Sequence, residues 1–159
     1  MTEIHENTKI IFKDIIKLLL KAVKNRKNPY HTPVFSSIAK NNITESRVVV
    51  LRKFEDKNLI LNFHTDFRSP KITNLKKNFN TSFLFYDQKI KIQLRIKTQS
   101  TINNQNSISK EAWDLTKLSS RKCYLTKKNP SSYTTIPEDG ISSHLIGIDP
   151  TKDETEIGY

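Results

Sequence analysis

The stretch from His64 to Lys71, HTDFRSPK, combines hydroxyl groups and cations with a helix start. Ser69 is suited to cap a helix, and Pro70 to occupy its first position. Backbone N–H groups at a helix start carry partial positive charge, to which Arg68 and Lys71 add full charges. Such a combination predicts an anion-binding site. The same residues also fit an ordinary capped helix beside a solvated hairpin, so both interpretations stay open at this point.

Short strands and turns must position this stretch. Val48 to Leu51 are β-branched or apolar and are bounded by charge, which favours a buried strand. In contrast, Phe83, Leu84 and Phe85 do not alternate with polar residues, which predicts a strand covered on both faces. The predicted strands are Pro33–Lys40, Ser46–Phe54, Leu59–Thr65, Asn80–Tyr86 and Lys89–Gln99. The predicted helices are residues 8–25, Pro70–Asn78, Ser109–Lys117 with Ser109 as its cap, and residues 119–125.

The first predicted helix is amphipathic. Apolar residues such as Ile11, Ile15 and Leu18 share one side, and lysines form a polar stripe on the other. A basic amphipathic helix can lie on a membrane surface. Packing against the rest of the chain or against a partner subunit is the interpretation we favour.

Length and composition limit the class of protein. A chain of 159 residues is long enough for one domain with its own core. It has no run close to the roughly 18 apolar residues of a membrane span, and its polar start, MTEIHENTK, does not resemble a signal peptide. Cys123 is the single cysteine and cannot form an internal disulfide, which favours a reducing cytoplasm. The cysteine and the four histidines lack metal-ligand spacing, so no metal site is predicted.

The net charge of +11 suggests a nucleic-acid partner at first sight. However, the lysines are dispersed rather than gathered into a block, and no aromatic platform accompanies them. The abundance of Lys, Asn and Ile is also typical of an AT-rich genome. Nucleic-acid binding is therefore disfavoured.

Three motifs, in this order and spacing, together resemble a known family. They are R-x-V-V-L-R at residues 47–52, F-H-T-D-x-R-S-x-K at residues 63–71, and Q-L-R-I at residues 93–96. They are similar to those of the pyridoxamine 5'-phosphate oxidase family of flavin mononucleotide (FMN) proteins, and most similar to its oxidase-related, Alr4036-type branch. The resemblance covers roughly Pro33 to Ser132.

The resemblance implies a mainly β fold with peripheral helices, a split β-barrel of the FMN-binding type. The length predicts a single domain over residues 1–159, with the N-terminal helix in residues 1–28, and the polar composition of residues 133–159 predicts a weakly ordered tail. The implied function is a cytoplasmic FMN-dependent oxidoreductase of unknown substrate, a homodimer with FMN at the subunit interface. The alternative is a non-catalytic barrel that has lost flavin and binds another anion, such as heme or a nucleotide.

The same resemblance implies roles for particular residues. Arg47, Ser69 and Lys71 would hold the FMN phosphate. The family often carries an arginine where this chain has Pro70, so either Arg68 replaces it or one phosphate contact is missing. Since Arg47 and Arg52 are five apart on one predicted strand, they should face opposite ways, with Arg52 near the flavin ring. The other implied cofactor contacts are Val48, Val49, Leu51, His64, Thr65, Gln93 and Ser131. For Gln93, the alternation of Lys89–Gln99 also fits a simple core face and water face.

Two departures from the family concern the substrate and the C-terminus. Trp113, Lys117 and Arg121 fall at the substrate positions but replace a Tyr, an Arg and a Ser. This makes pyridoxine phosphate a doubtful substrate, and Trp113 fits a packed helix residue equally well. Family members also continue into strands with a Trp and an Arg near the flavin. This chain ends before them, so we expect it to be truncated.

Overall fold

A computed structural model describes residues 2–151, and their side chains from residue 7 onward. The chain divides into two compact units. The first unit comprises the described part of Met1–His64 together with Asn80–Gln99. The second comprises Thr65–Phe79 together with the described part of Ser100–Tyr159.

The first unit contains two antiparallel sheets. Its strands are β1 (Val34–Ile38), β2 (Thr44–Val48), β3 (Leu51–Glu55), β4 (Ile60–Phe63), β5 (Asn80–Asp87) and β6 (Ile92–Gln99). Four of them form one sheet in the order β2-β1-β5-β6, while β3 and β4 form a separate hairpin. The sheets therefore follow the predicted strands closely, with one exception.

The exception is the predicted strand Ser46–Phe54, which is wrong as a single element. The Val49 N–H donates to the Pro33 carbonyl oxygen at 3.0 Å, just beyond the last paired residue of β2. The chain then leaves the first sheet, and Leu51 begins pairing with Phe63 in the second. The apolar run supplies two strands because this tertiary hydrogen bond ends the first one.

Aromatic side chains form the core of the first unit. The ring centroid of Phe35 lies 4.7 Å from that of Phe63 and 5.1 Å from that of Phe83. Phe85 is fully buried and contacts Tyr30 edge to face. Edge-to-face and tilted pairs of this kind stabilise a core beyond their buried area.

One face of the four-stranded sheet is covered and the other is exposed. Phe83 and Phe85 are buried, whereas Leu84 and Tyr86 between and beyond them are exposed. The prediction that both faces of this strand are covered is therefore wrong for the single chain. On β6, Leu94 and Ile96 are half-buried and Arg95 is exposed, which confirms the predicted alternation.

Helix α1 spans Thr2–Lys24 and begins earlier than predicted. Its C-terminal half packs inward through Leu19 and Ala22, whereas Ile11 and Phe12 are exposed. No helix within the described residues is long and apolar enough to cross a bilayer.

The second unit is helical. It contains α2 (Pro70–Lys77), α3 (Ser107–Asp114) and α4 (Leu118–Arg121), with 3-10 turns at Lys122–Tyr124 and Ser143–Leu145. Trp113 packs edge to face on Tyr124 at 5.9 Å, and Leu125 and Leu145 are buried. The proposed weakly ordered tail, residues 133–159, includes residues 152–159, which lie outside the described part, and its order stays a prediction.

The predicted cap of α3 is wrong. The N-cap is Asn106, whose side chain accepts from the Ser109 N–H at 3.0 Å. Ser109 lies three residues into the motif and its hydroxyl accepts from the Asn106 N–H, which completes a capping box. Both residues are good capping residues, so sequence alone does not separate them.

Antiparallel sheets with peripheral helices confirm the predicted fold class at that level. Closure into a split barrel and the single-domain assignment stay predictions.

We expect Leu59→Gly to raise the free energy of unfolding. Leu59 lies in the β3–β4 loop with φ +55°, a left-handed conformation that L-residues rarely adopt. That conformation costs an L-residue about 1–2 kcal/mol, while glycine loses about 0.5–1 kcal/mol of chain entropy. The net gain should be about 0.5–1 kcal/mol in urea unfolding. The matched control is Leu59→Ala, which keeps the strain, and a glycine variant no more stable than the alanine variant would contradict the expectation.

Candidate functional site

Lys71, at the start of α2, contacts two hydroxyl groups. Its Nζ donates to Thr65 Oγ1 at 2.8 Å and to Ser69 Oγ at 2.6 Å. We call Thr65, Ser69 and Lys71 the Lys71 cluster. Ser69 occupies the N-cap position and Pro70 follows it, as predicted, but the Ser69 side chain makes no capping hydrogen bond. The prediction of a Ser69 cap is therefore wrong in its chemistry, and the serine hydroxyl accepts from Lys71 Nζ instead.

The Lys71 cluster has the donor set of an oxyanion site. An ammonium group offers three donors and each hydroxyl offers one. The cluster lies at the N-terminal end of a helix, where the helix dipole favours negative charge. Ser69 is only 4% exposed, so its hydroxyl is held in place rather than free in solvent. This arrangement can bind a phosphate or a carboxylate.

Arg68 is engaged away from the cluster. Its Nε and Nη2 donate to the two carboxylate oxygens of Asp66 at 3.0 and 2.6 Å. Its Nη1 donates to the Thr126 carbonyl oxygen at 2.9 Å. Hydrogen bonds to Asp66 raise the pKa of Arg68 above its ordinary value. All the guanidinium nitrogens thus have protein acceptors.

Arg47 lies on β2 of the first unit, where its guanidinium group has protein acceptors. Its Nη1 donates to Ser37 Oγ at 2.7 Å, and its Nη2 pairs with the Glu45 carboxylate at 2.8 Å. The guanidinium carbon lies 5.9 Å from the ring centroid of Phe35. The carboxylate of Glu45 therefore pairs with the arginine for which the resemblance implies a phosphate contact.

Arg52 lies on the second sheet of the same unit, and His64 directly follows β4 of that sheet. Arg52 is on β3, so the prediction that it shares one strand with Arg47 is wrong. Burial, and secondarily the charge of Arg52, lowers the pKa of His64 to about 4. His64 is consequently neutral near pH 7.

The remaining backbone candidates differ in exposure. Val48 is 65% exposed, whereas Val49 and Leu51 are buried. The Val49 N–H already has Pro33 as its acceptor, so it has a structural role in this conformation.

Gln93 is exposed on the face of the sheet opposite Arg47. Arg47 pairs with Phe35, and Phe35 with Phe83, so these three share the covered face. Gln93 pairs with the exposed Tyr86 on the other face. Directly paired residues in an antiparallel sheet point to the same side.

The three substrate candidates lie in the second unit. Arg121 is buried, lies 4.6 Å over the Trp113 ring, and donates to the Trp113 and Thr116 carbonyl oxygens. Arg121 therefore satisfies carbonyl oxygens at the C-terminal end of α3 and packs against the Trp113 ring. Lys117 is exposed.

Ser131 lies in an exposed turn of the second unit. Its φ is +66°, and the next residue, Ser132, donates its N–H to the Asn129 carbonyl oxygen at 3.1 Å. Pro130 at the second position and a left-handed third residue are typical of a type II turn.

Sequence reasoning missed the carboxylates that hold the arginines. Glu45 precedes Arg47 by two residues, and Asp66 precedes Arg68 by two. Residues two apart share a face of a strand, which is the signal for Glu45 and Arg47 on β2. Asp66 and Arg68 lie in a turn, where an aspartate side chain commonly accepts the N–H two residues further on. The candidates also divide between the two units, and their convergence on one ligand stays a prediction.

Comparisons with known proteins identify one matching family. A model of the family described as pyridoxamine 5'-phosphate oxidase, FMN-binding domain, matches residues 12–104. No curated protein matches the sequence.

Several solved structures resemble this chain, among them two crystal structures. One is a pyridoxamine 5'-phosphate oxidase-related, FMN-binding protein from Nostoc punctiforme PCC 73102, with a TM-score of 0.66 and 19% identity over 81% of this chain and 69% of that protein. The other is PhzG from Burkholderia lata 383 in complex with tetrahydrophenazine-1-carboxylic acid, with a TM-score of 0.63 and 16% identity over 77% of this chain and 60% of that protein. Likeness at such identities shows a shared fold, and function has to be argued from the site.

The resemblance inferred from the three motifs is thus confirmed, while the branch and the truncation stay predictions. Since the family match covers more than half of the sequence and the fold agrees with it, this chain belongs to the pyridoxamine 5'-phosphate oxidase FMN-binding domain family.

Proposed function

We propose that this chain binds FMN through the Lys71 cluster and acts as an FMN-dependent oxidoreductase. The observation that carries the proposal is the donation from Lys71 Nζ to the hydroxyls of Thr65 and Ser69 at the first turn of α2. Bound FMN would supply the redox chemistry, and the protein would supply the cations and hydrogen bonds that hold it. The substrate class is left open.

The donor set of the cluster suits the FMN phosphate. A phosphate dianion can accept from Lys71 and from both hydroxyls at once, because each hydroxyl oxygen accepts from Lys71 and keeps its own O–H to donate. Thr65 and Ser69 are neutral, so an arriving anion separates no opposite charges when it displaces their contacts with Lys71.

The rest of the proposed site follows the family pattern. Arg47 is the second phosphate ligand, after exchanging Glu45 for the anion. Neutral His64 can donate from one ring nitrogen and accept at the other, which suits the polar edge of a flavin. The other proposed contacts are Val48, Val49, Leu51, Arg52, Gln93 and Ser131, and the proposed substrate contacts are Trp113, Lys117 and Arg121.

A homodimer with FMN between subunits is part of the proposal. Arg47 and Gln93 lie on opposite faces of one sheet, so a flat ligand that contacts both takes them from two copies of the chain. The face that bears Gln93 also exposes Val48, Leu84 and Tyr86, which a second copy can cover. Closure of the sheets into a split barrel and a cytoplasmic location complete the proposal.

We expect Lys71→Ala to weaken FMN binding about 10- to 150-fold and to leave riboflavin binding nearly unchanged. A hydrogen bond to a charged group contributes about 1.5–3 kcal/mol, and riboflavin lacks the phosphate. Titration followed by flavin fluorescence and the visible spectrum measures both affinities.

The control for this experiment is Lys77→Ala, an exposed lysine on the same helix, which should bind FMN as the wild type does. Wild-type protein that takes up neither flavin would refute FMN binding. It would leave the non-catalytic alternative, a binder of heme or a nucleotide, to be tested with those ligands.

We expect Leu84→Glu to convert a dimer into a monomer, because the substitution places a carboxylate in the middle of the exposed apolar face. Sedimentation velocity of the FMN-loaded protein measures this. The control is Leu59→Glu, an exposed leucine in the loop of the separate β3–β4 hairpin. A Leu84→Glu variant that stays dimeric would contradict the assignment of this face.

His64 should make folding stability fall in acid. Its folded pKa of about 4 lies below the ordinary 6.5, so between these values the unfolded chain binds a proton that the folded chain does not. The stabilisation is complete above pH 6.5 and is lost as the pH falls toward 4. On acidification from pH 6.5 to 4, the free energy of unfolding should fall by about 1–2 kcal/mol more for wild type than for His64→Gln. This figure is discounted for the partial exposure of His64.

Urea unfolding across that pH window measures the difference. Carboxylates contribute alike to both proteins, so the comparison isolates the histidine. The exposed His144, changed to Gln, is the control and should retain the wild-type profile. Parallel profiles for wild type and His64→Gln would contradict the expectation.

A further inference from the structure

The loop that carries the Lys71 cluster is held by an ion pair of its own. Asp66 and Arg68 are joined through both carboxylate oxygens, and their side chains are only 5% and 17% exposed. The Asp66 oxygen also accepts the Arg68 backbone N–H at 2.8 Å, which folds the loop back on itself. The Ser69 N–H donates to the Asp66 carbonyl oxygen at 3.1 Å. The carboxylate thus lies at the centre of the turn between Thr65 and Ser69.

The same guanidinium reaches a distant part of the second unit. Arg68 Nη1 donates to the Thr126 carbonyl oxygen at 2.9 Å, and Nη2 lies 3.3 Å from Thr126 Oγ1. The N–H of the next residue, Lys127, donates to the Gly140 carbonyl oxygen. Arg68 therefore fastens the loop to a segment 58 residues further along the chain.

We infer that Asp66 and Arg68 are positioning residues for a phosphate in the Lys71 cluster, and that Arg68 does not bind the phosphate itself. This inference rests on the proposed function, since it assigns roles around the same site. A planar guanidinium that forms two parallel bonds to a carboxylate fixes both position and orientation. Thr65 and Ser69 flank the pair on either side, so the pair sets the spacing of their hydroxyls.

The competing role for Arg68 is direct contact with the anion. Arg68 would then replace the arginine that the family often carries at the position of Pro70. That role requires the guanidinium to leave Asp66 and Thr126. It predicts that removing Asp66 releases Arg68 and strengthens FMN binding. The positioning role predicts the opposite sign, because the loop then loses its clamp.

The test compares Asp66→Ala, Arg68→Ala, the double variant and Arg68→Lys in the full chain. For each, dissociation constants of FMN and riboflavin are measured by fluorescence titration. We expect each single variant to lose tenfold or more in FMN affinity with riboflavin affinity within threefold. The double variant should lose no more than either single variant, since the two residues act as one unit.

Arg68→Lys sharpens the distinction. Lysine keeps a cation that a phosphate accepts but loses the paired N–H donors. The positioning role predicts that Arg68→Lys loses about as much FMN affinity as Arg68→Ala, whereas a direct ligand predicts substantial rescue. Should Arg68→Ala fail to fold, Arg68→Lys and Asp66→Ala decide the question by themselves.

Several outcomes overturn the inference. An Asp66→Ala variant that binds FMN as tightly as wild type or tighter, or rescue by Arg68→Lys, would each do so. Equal losses for FMN and riboflavin would reduce the pair to a general role in folding. Wild-type protein that binds no FMN would instead refute the proposed function, and the two failures are therefore distinct.

Discussion

The cost of removing a guanidinium group from water governs the arrangement of polar residues in both units. Arg47, Arg68 and Arg121 are buried or half-buried, and each has carboxylate or carbonyl acceptors. An unpaired cation in such places costs several kcal/mol, so the acceptors are obligatory. Each arginine consequently orders a local element: a strand, a loop or a helix end.

Lys71 donates to two hydroxyl groups, which can themselves donate to the anion that the lysine binds. Recruiting Arg47 would separate it from a Glu45 carboxylate that is 45% exposed, and such pairs are worth about 0.2–1 kcal/mol. Separating Arg68 from the 5% exposed Asp66 would cost about 3–5 kcal/mol. These magnitudes rank Arg47 above Arg68 as an anion ligand.

Local patterns in the sequence predict much of the fold, and long-range hydrogen bonds account for most of the rest. The alternation along Lys89–Gln99 and the Pro70 helix start depend on neighbouring residues, and both are observed. The break at Val49 depends on a carbonyl of Pro33, and the engagement of Arg68 on a carbonyl of Thr126. No periodicity encodes such partners. Asp66 and Glu45 stand two residues from their arginines and were within reach of sequence reasoning.

The pairing register of the two edge strands decides how polar residues are shared between the faces of the sheet. Side chains alternate along a strand, so bringing Arg47 and Gln93 to one face would require a one-residue slip of β2 or of β6. A slip of β2 would turn over its side chains and break the donation from Arg47 Nη1 to Ser37 Oγ. A slip of β6 would turn Leu94 and Ile96 away from the covered face, where they pair with the buried Phe85 and Phe83. The opposition of Arg47 and Gln93 is therefore fixed by the contacts that the two edge strands make on the covered face.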